Sequence, residues 1–352
     1  MTLTNAYTPF DRGFVVLSAA TPQIDLNLTV GQGYAVNTAG TQLVDFMGTL
    51  TTGPITRTLA RNAAGSANAG DAGWHLVGNP YPAPIDYSLV APANTNLENA
   101  MYVFESATQY TGSYRPFVNG LPTTNRYVGT AQGFFVRVLS GQTSGTLNFR
   151  NAQRVTDFTT QVPFRRDAVD TRPLVQLDLH SASGAADTFY AYAQPGATAA
   201  FDAAFDARKL PNSTGLNLAS VASTGEALSI DGRPAFAPTT TLALTVGVPA
   251  AGTYTLVAAD LANLPTGRTV NLRTQPSYAF AVTAAQAATL LTGRFTLAFG
   301  ARTALAAAAA LTAAEVALYP NPAHGTFTVQ VPAVAGATAG TCTAKAPWAG
   351  LG

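Results

Sequence analysis

The chain is poor in the residues that most often advertise chemistry. It has one cysteine, Cys342, among 352 residues, which rules out an intrachain disulfide and a cysteine-rich metal site, so packing must supply the stability. Its histidines, His75, His180 and His324, lie far apart with no paired spacing, so nothing draws them to a shared zinc ion. Charged residues make up 11%, against roughly 25% in an ordinary soluble domain. The surface must then be covered mainly by Thr, Ser, Asn, Gln and Ala, as on many extracellular β-proteins. Lysine occurs only at Lys209 and Lys345, and the formal net charge is +1. Without an arginine cluster this leaves no electrostatic footprint for nucleic acid or for an anionic membrane. No apolar run is long enough to span a bilayer: the weakly polar stretch 304–311 is short and alanine-rich. The opening MTLTNAYTPFDRGF lacks the basic and apolar regions of a signal peptide.

What the chain does have is alternation with a period of two. Val175, Leu177 and Leu179 face one way while Gln176, Asp178 and His180 face the other. Leu242, Leu244, Val246 and Val248 repeat the pattern, and after a turn at 249–252 come Tyr254, Leu256 and Ala258, which predicts an antiparallel hairpin. Further strands are expected at 270–272, 278–282 and 295–299, and "SIDGRP" places Asp231 and Gly232 where a two-residue type I′ turn wants positive φ. In the N-terminal half, strands are expected at 13–18, 33–37, 43–50, 74–78, 100–105, 133–138 and 145–150, separated by loops rich in Gly, Asn and Pro. The predicted fold is all-β, with antiparallel β-sandwich modules in tandem. Residues 1–150 form one β-rich module, 151–172 a linker, 173–300 a second sandwich, 301–316 an alanine-rich spacer, and 317–352 a C-terminal segment.

Few stretches suggest a site. In "GWHLVGNPYPAPIDYSLV" three prolines hold the backbone extended and end a strand. Trp74, Tyr81 and Tyr87 would there form a platform for a sugar ring, or else fill the core, the usual fate of large aromatics. "GTAQGFFVRV" and "LTVGQGY" lack the strand, glycine loop and helix context of a phosphate site. "DAAFDARK", with Asp187 upstream and Glu226 downstream, is the densest acidic cluster. Asp202 and Asp206 could lend oxygens to calcium, but no EF-hand spacing supports this, and a solvated loop is the simpler reading. There is no G-x-S-x-G elbow, and carboxylates are too sparse to favour glycoside hydrolysis.

"LYPNPAHGTFTVQVP" resembles the start of the type A C-terminal sorting domain used by the type IX secretion system of Bacteroidetes. The matching positions are Leu318, Tyr319, Pro320, Asn321, Pro322 and Gly325, with Phe327, Val329 and Val331 as inward strand residues. Pro320 and Pro322 would prevent premature pairing, and three apolar residues on one strand need a partner sheet. "GWHLVGNPYPAPIDY", "QGFFVRV" and the succession from "DAAFDARKL" to "GTYTL" resemble uncharacterised β-rich modules that precede this sorting domain in large secreted or surface proteins. Family members continue for several strands, whereas here TAGTCTAKAPWAGLG shows no strand pattern, so an incomplete sorting domain with an aberrant tail is expected.

The resemblance implies a non-catalytic part of a cell-surface or secreted protein, adhesive in one version, with no cofactor and with the type IX machinery as partner. The alternative is a set of accessory or carbohydrate-binding modules from an extracellular hydrolase, with a glycan as ligand.

Overall fold

The computed structural model describes residues 28–35, 47–63, 72–108, 110–122, 126–156, 170–264, 268–270, 277–287, 289–301, 317–320, 326–331 and 340–345. Over these residues the protein is all-β. The N-terminal half contains β1 (Ile55–Ala60), β2 (Trp74–Gly78), β3 (Ile85–Asp86), β4 (Met101–Ser106), β5 (Gly112–Val118), β6 (Leu121–Pro122), β7 (Tyr127–Val128), β8 (Gly133–Arg137) and β9 (Ser144–Phe149). Five of them form one antiparallel sheet in the order β2-β8-β4-β5-β6, and β1 pairs with β9. The inward faces enclose Val77, Met101, Phe117, Phe134, Val136, Leu147 and Phe149. The three prolines do end β2, and Asn79 ties the corner they make. Its amide donates to the carbonyls of Ala83, Val128 and Gly129, and its oxygen accepts from Tyr81 N–H. Asp86 then caps a single helical turn, Tyr87–Val90, by accepting from Ser88 N–H at 2.9 Å.

The second half contains β10 (Leu174–Ser181), β11 (Ala186–Ala193), β12 (Ala207–Arg208), β13 (Asn217–Val221), β14 (Ala227–Arg233), β15 (Thr241–Gly247), β16 (Gly252–Ala262), β17 (Arg268–Val270), β18 (Ser277–Val282) and β19 (Leu291–Ala301). They curl into one sheet in the order β17-β19-β15-β13-β14-β11-β10-β16-β18, with β12 beside β14. β14 makes the corner: Leu228 and Ala227 pair with β13, and 230–233 run parallel to β11. Both arms turn Leu177, Phe189, Leu218, Leu244, Leu256 and Phe299 onto one core.

Several expectations need correcting. β15 and β16 are not a hairpin. β15 pairs with β13 and β19, and β16 with β10 and β18, so the 249–252 turn carries the chain from one arm of the sheet to the other. "SIDGRP" is not a turn: Asp231 and Gly232 lie inside β14, and neither has positive φ. The local signal is overridden because Asp231 is buried against Arg233 and Ser220, while Gly232 N–H is bound by Asp206. Within 33–37 the described residues make no strand, although Gln32 forms a single bridge to Val77, and 47–50 make none either. The strand expected at 13–18 lies outside the described residues, as does the spacer expected at 301–316 apart from Ala301, which ends β19.

The C-terminal segment is also more ordered in pattern than its composition suggests. β20 (Ala317–Pro320), β21 (Thr326–Val331) and β22 (Gly340–Lys345) form an antiparallel sheet in that order. The tail read as patternless thus contributes β22, with Cys342 opposite Val329. TCTAK alternates weakly in polarity, and two threonines supply the β preference that a hydrophobic count overlooks.

Candidate functional site

The two halves do not hang as beads on a linker; they share a third cluster of buried side chains. Ala100, Tyr102, Val118 and Leu121 from the first half meet Leu174, Tyr192, Ala207 and Ile230 from the second. Backbone and side-chain hydrogen bonds stitch this seam. Asn99 N–H donates to Ala203 O at 2.9 Å, Gly112 N–H to Ser213 Oγ at 2.9 Å, and Asn119 Nδ2 to the Tyr192 hydroxyl at 2.9 Å.

At its centre stands Glu98, 1% exposed. Oε1 lies 3.0 Å from Arg208 Nε and 3.6 Å from Arg137 Nη1, so one carboxylate joins a guanidinium from each half. Burial raises the Glu98 pKa, opposed by Arg208 and Arg137. Arg208 N–H donates to the Tyr102 hydroxyl at 2.7 Å, and Tyr102 lies edge-on to Trp74 with ring centroids 5.1 Å apart. Arg137 stacks over Trp74 at 5.3 Å. Two further polar knots adjoin the seam. Asp187 pairs with Lys209, and Asp231 binds Arg233 through both oxygens.

The structure separates the aromatic trio. Tyr81 and Tyr87 are buried in the first core, Tyr87 edge-on to Phe117 and Phe134, while Trp74 is half-buried at the seam. They present no common stacking surface. Asp202 and Asp206 do come together, but one oxygen of Asp202 and both of Asp206 already accept backbone N–H groups. Asp202 Oδ2 accepts Thr198 N–H, and Asp206 accepts Asp202 N–H at 2.6 Å and Gly232 N–H at 2.7 Å. Among the described residues no group of three or more His, Cys, Asp or Glu is placed to hold a metal ion. Burial, with Asp231 and Asp202 nearby, raises the Asp206 pKa to about 7, against the two N–H bonds that favour its anion.

Of the residues singled out near the C-terminus, Leu318 pairs opposite Val329, Tyr319 opposite Thr328 and Pro320 opposite Phe327, while Val331 pairs with Gly340. Asn321, Pro322 and Gly325 lie outside the described residues, as does His324. The seam residues Glu98, Arg137 and Arg208 escaped sequence reading, since one acid in a loop and two scattered arginines carry no spacing signal. Asp187, Asp206 and Glu226 were visible only as a local density of acid around "DAAFDARK".

Chemically, the seam is a lock: the buried Glu98 carboxylate pairs a guanidinium from each half. Two shallow troughs, of about 290 and 240 Å³, lie beside it and share Ala185 and Thr214. No helix among the described residues is long and apolar enough to cross a membrane.

No curated protein and no solved structure matches the chain. Residues 17–273 match the model of a family described as a domain of unknown function (DUF8693), a span that crosses the seam and takes in the first half and the second as far as β17. The chain belongs to that DUF8693 family.

Proposed function

We propose that the chain is a non-catalytic segment of an exported surface or secreted protein, delivered across the outer membrane by a type IX machinery that reads residues 318–331. The observation that carries this reading is the sequence "LYPNP" followed by Phe327, Val329 and Val331, whose described residues lie in two paired strands, β20 and β21. A surface low in charge and stability without disulfides suit an extracellular spacer or adhesive module. Nothing favours the carbohydrate-binding reading, because two of its three aromatics are core residues.

The test is export of the chain, carried by a supplied leader and given a complete sorting tail after Ala337, from a type IX-competent host and from a secretion-deficient strain, with an epitope inserted at the exposed Gly184 turn. The expected result is surface-accessible epitope only where the machinery works, and its loss when Tyr319, Pro320, Asn321 and Pro322 are all changed to alanine. Equal accessibility in both strains, or retention in both, would overturn the proposal.

A further inference from the structure

Lys209 is buried with its partner: its side chain is 7% exposed and that of Asp187 is 2% exposed. Burial lowers the lysine pKa, against the pull of Asp187, and brings the neutral amine within easier reach than in water. Asp187 Oδ2 lies 2.5 Å from Nζ, and Oδ1 of the same carboxylate accepts from Asn212 Nδ2 at 2.8 Å. One carboxylate therefore bridges a buried amine and a buried carboxamide. A salt bridge needs only the first of these contacts. The second end of the carboxamide is engaged as well: Asn212 Oδ1 accepts Tyr114 N–H at 2.9 Å from across the seam. A fixed N–H aimed at a carbonyl oxygen stabilises the negative charge that gathers there when a nucleophile adds. Asn212 is 4% exposed, so water is a poor competitor at its carbon. The shared Asp187 carboxylate, holding the amine on one oxygen and the carboxamide on the other, raises the effective concentration of each at the other.

We propose that Lys209 and Asn212 form a site for an intramolecular isopeptide bond, with Asp187 as the proton shuttle and Tyr114 N–H as the oxyanion donor. Lys209 passes one proton to Asp187, and its lone pair adds to Cγ of Asn212 while the π electrons move onto Oδ1. Asp187 hands its proton to Nδ2, the Cγ–Nδ2 bond breaks, and the electron pair leaves with nitrogen. The remaining amine proton departs with the ammonia as ammonium. The products are one Nζ–Cγ secondary amide and one ammonium ion, and Asp187 ends as the carboxylate it was at the start. No oxidant, reductant or cofactor enters. The linkage closes only the loop across Leu210 and Pro211, so its signature is chemical rather than a large change in stability.

The experiment is intact-mass and peptide-fragment spectrometry on the full chain after incubation at mildly alkaline pH, and it does not depend on how the protein is exported. The expected result is a mass about 17 Da below that of the sequence. Fragment ions should join Lys209 to Asn212, and trypsin should fail to cut after Lys209. Lys209→Arg and Asp187→Asn should keep the full mass, with circular dichroism showing that they remain folded. A wild-type protein that stays at full mass overturns the proposal whatever the variants do. So does a loss of ammonia that persists in Lys209→Arg, because that marks a succinimide at Asn212 rather than a cross-link.

Discussion

Asp206 shows how one side chain can set a pH dependence for the whole protein. Its carboxyl is fully buried, faces Asp202 and Asp231, and has Arg233 beyond Asp231. With its pKa raised from 3.8 to about 7, the folded state binds more protons than the unfolded chain across that window. Stability from this group is complete below pH 3.8 and is lost as pH rises through about 7. The shift corresponds to about 4 kcal/mol as an order of magnitude. Asp206→Asn should remove this decline. It should also add a pH-independent cost of about 1–3 kcal/mol, because its amide meets an N–H that the carboxylate had accepted. Urea unfolding at several pH values between 4 and 8 measures both effects, and equal slopes for the two proteins would exclude Asp206 as the source. The sequence showed the acid here but not its burial. Whether an aspartate is solvated depends on which distant N–H groups need an acceptor, and Gly232 lies 26 residues away.

At the scale of the element, alternation located strands better than it located their partners. The expectation at 74–78 coincides with β2, and those at 174–180 and 278–282 fall within a residue of β10 and β18 at each end. These segments were legible because one face of each is buried, which is what a period of two reports. Pairing was not legible. A strand with one apolar face looks the same whether its neighbour in sequence lies beside it or across the core, and β15 and β16 took the second option. β16 also breaks its own period. The register shifts between Gln176 and Leu177, where Asp260 and Ala258 are their partners and Ala259 is the extra residue. Inward positions therefore pass from Tyr254, Leu256 and Ala258 to Leu261, which packs against the same core. The core joining the arms can be probed at Phe299, fully buried and stacked on Phe236 with ring centroids 4.1 Å apart. Phe299→Ala should cost about 3–5 kcal/mol. It should lower the urea midpoint without changing the m-value if both arms still unfold together.

For the whole molecule the decisive question is whether two halves, each with its own core, behave as one. A linker joining independent modules would leave each with a polar outer face, yet Tyr102, Leu174, Tyr192 and Ile230 are buried in one cluster drawn from both halves. Separated, both halves would expose this apolar surface together with Glu98 and the guanidiniums it pairs. Calorimetry of the full chain should therefore give a single transition over the described halves, with calorimetric and van't Hoff enthalpies equal. Glu98→Ala is the discriminating variant, because it leaves Arg137 and Arg208 buried together without the carboxylate between them. The expected cost is about 3–5 kcal/mol. Since that loss falls on the contact between halves rather than within either core, it should weaken their coupling and broaden or split the transition. Phe299→Ala, a loss of similar size inside one half, should lower the midpoint and leave the transition single. If instead both variants shift one sharp transition alike, the seam is no weaker than the cores. If the wild type already melts in two steps, the halves are independent and the shared cluster does not couple them.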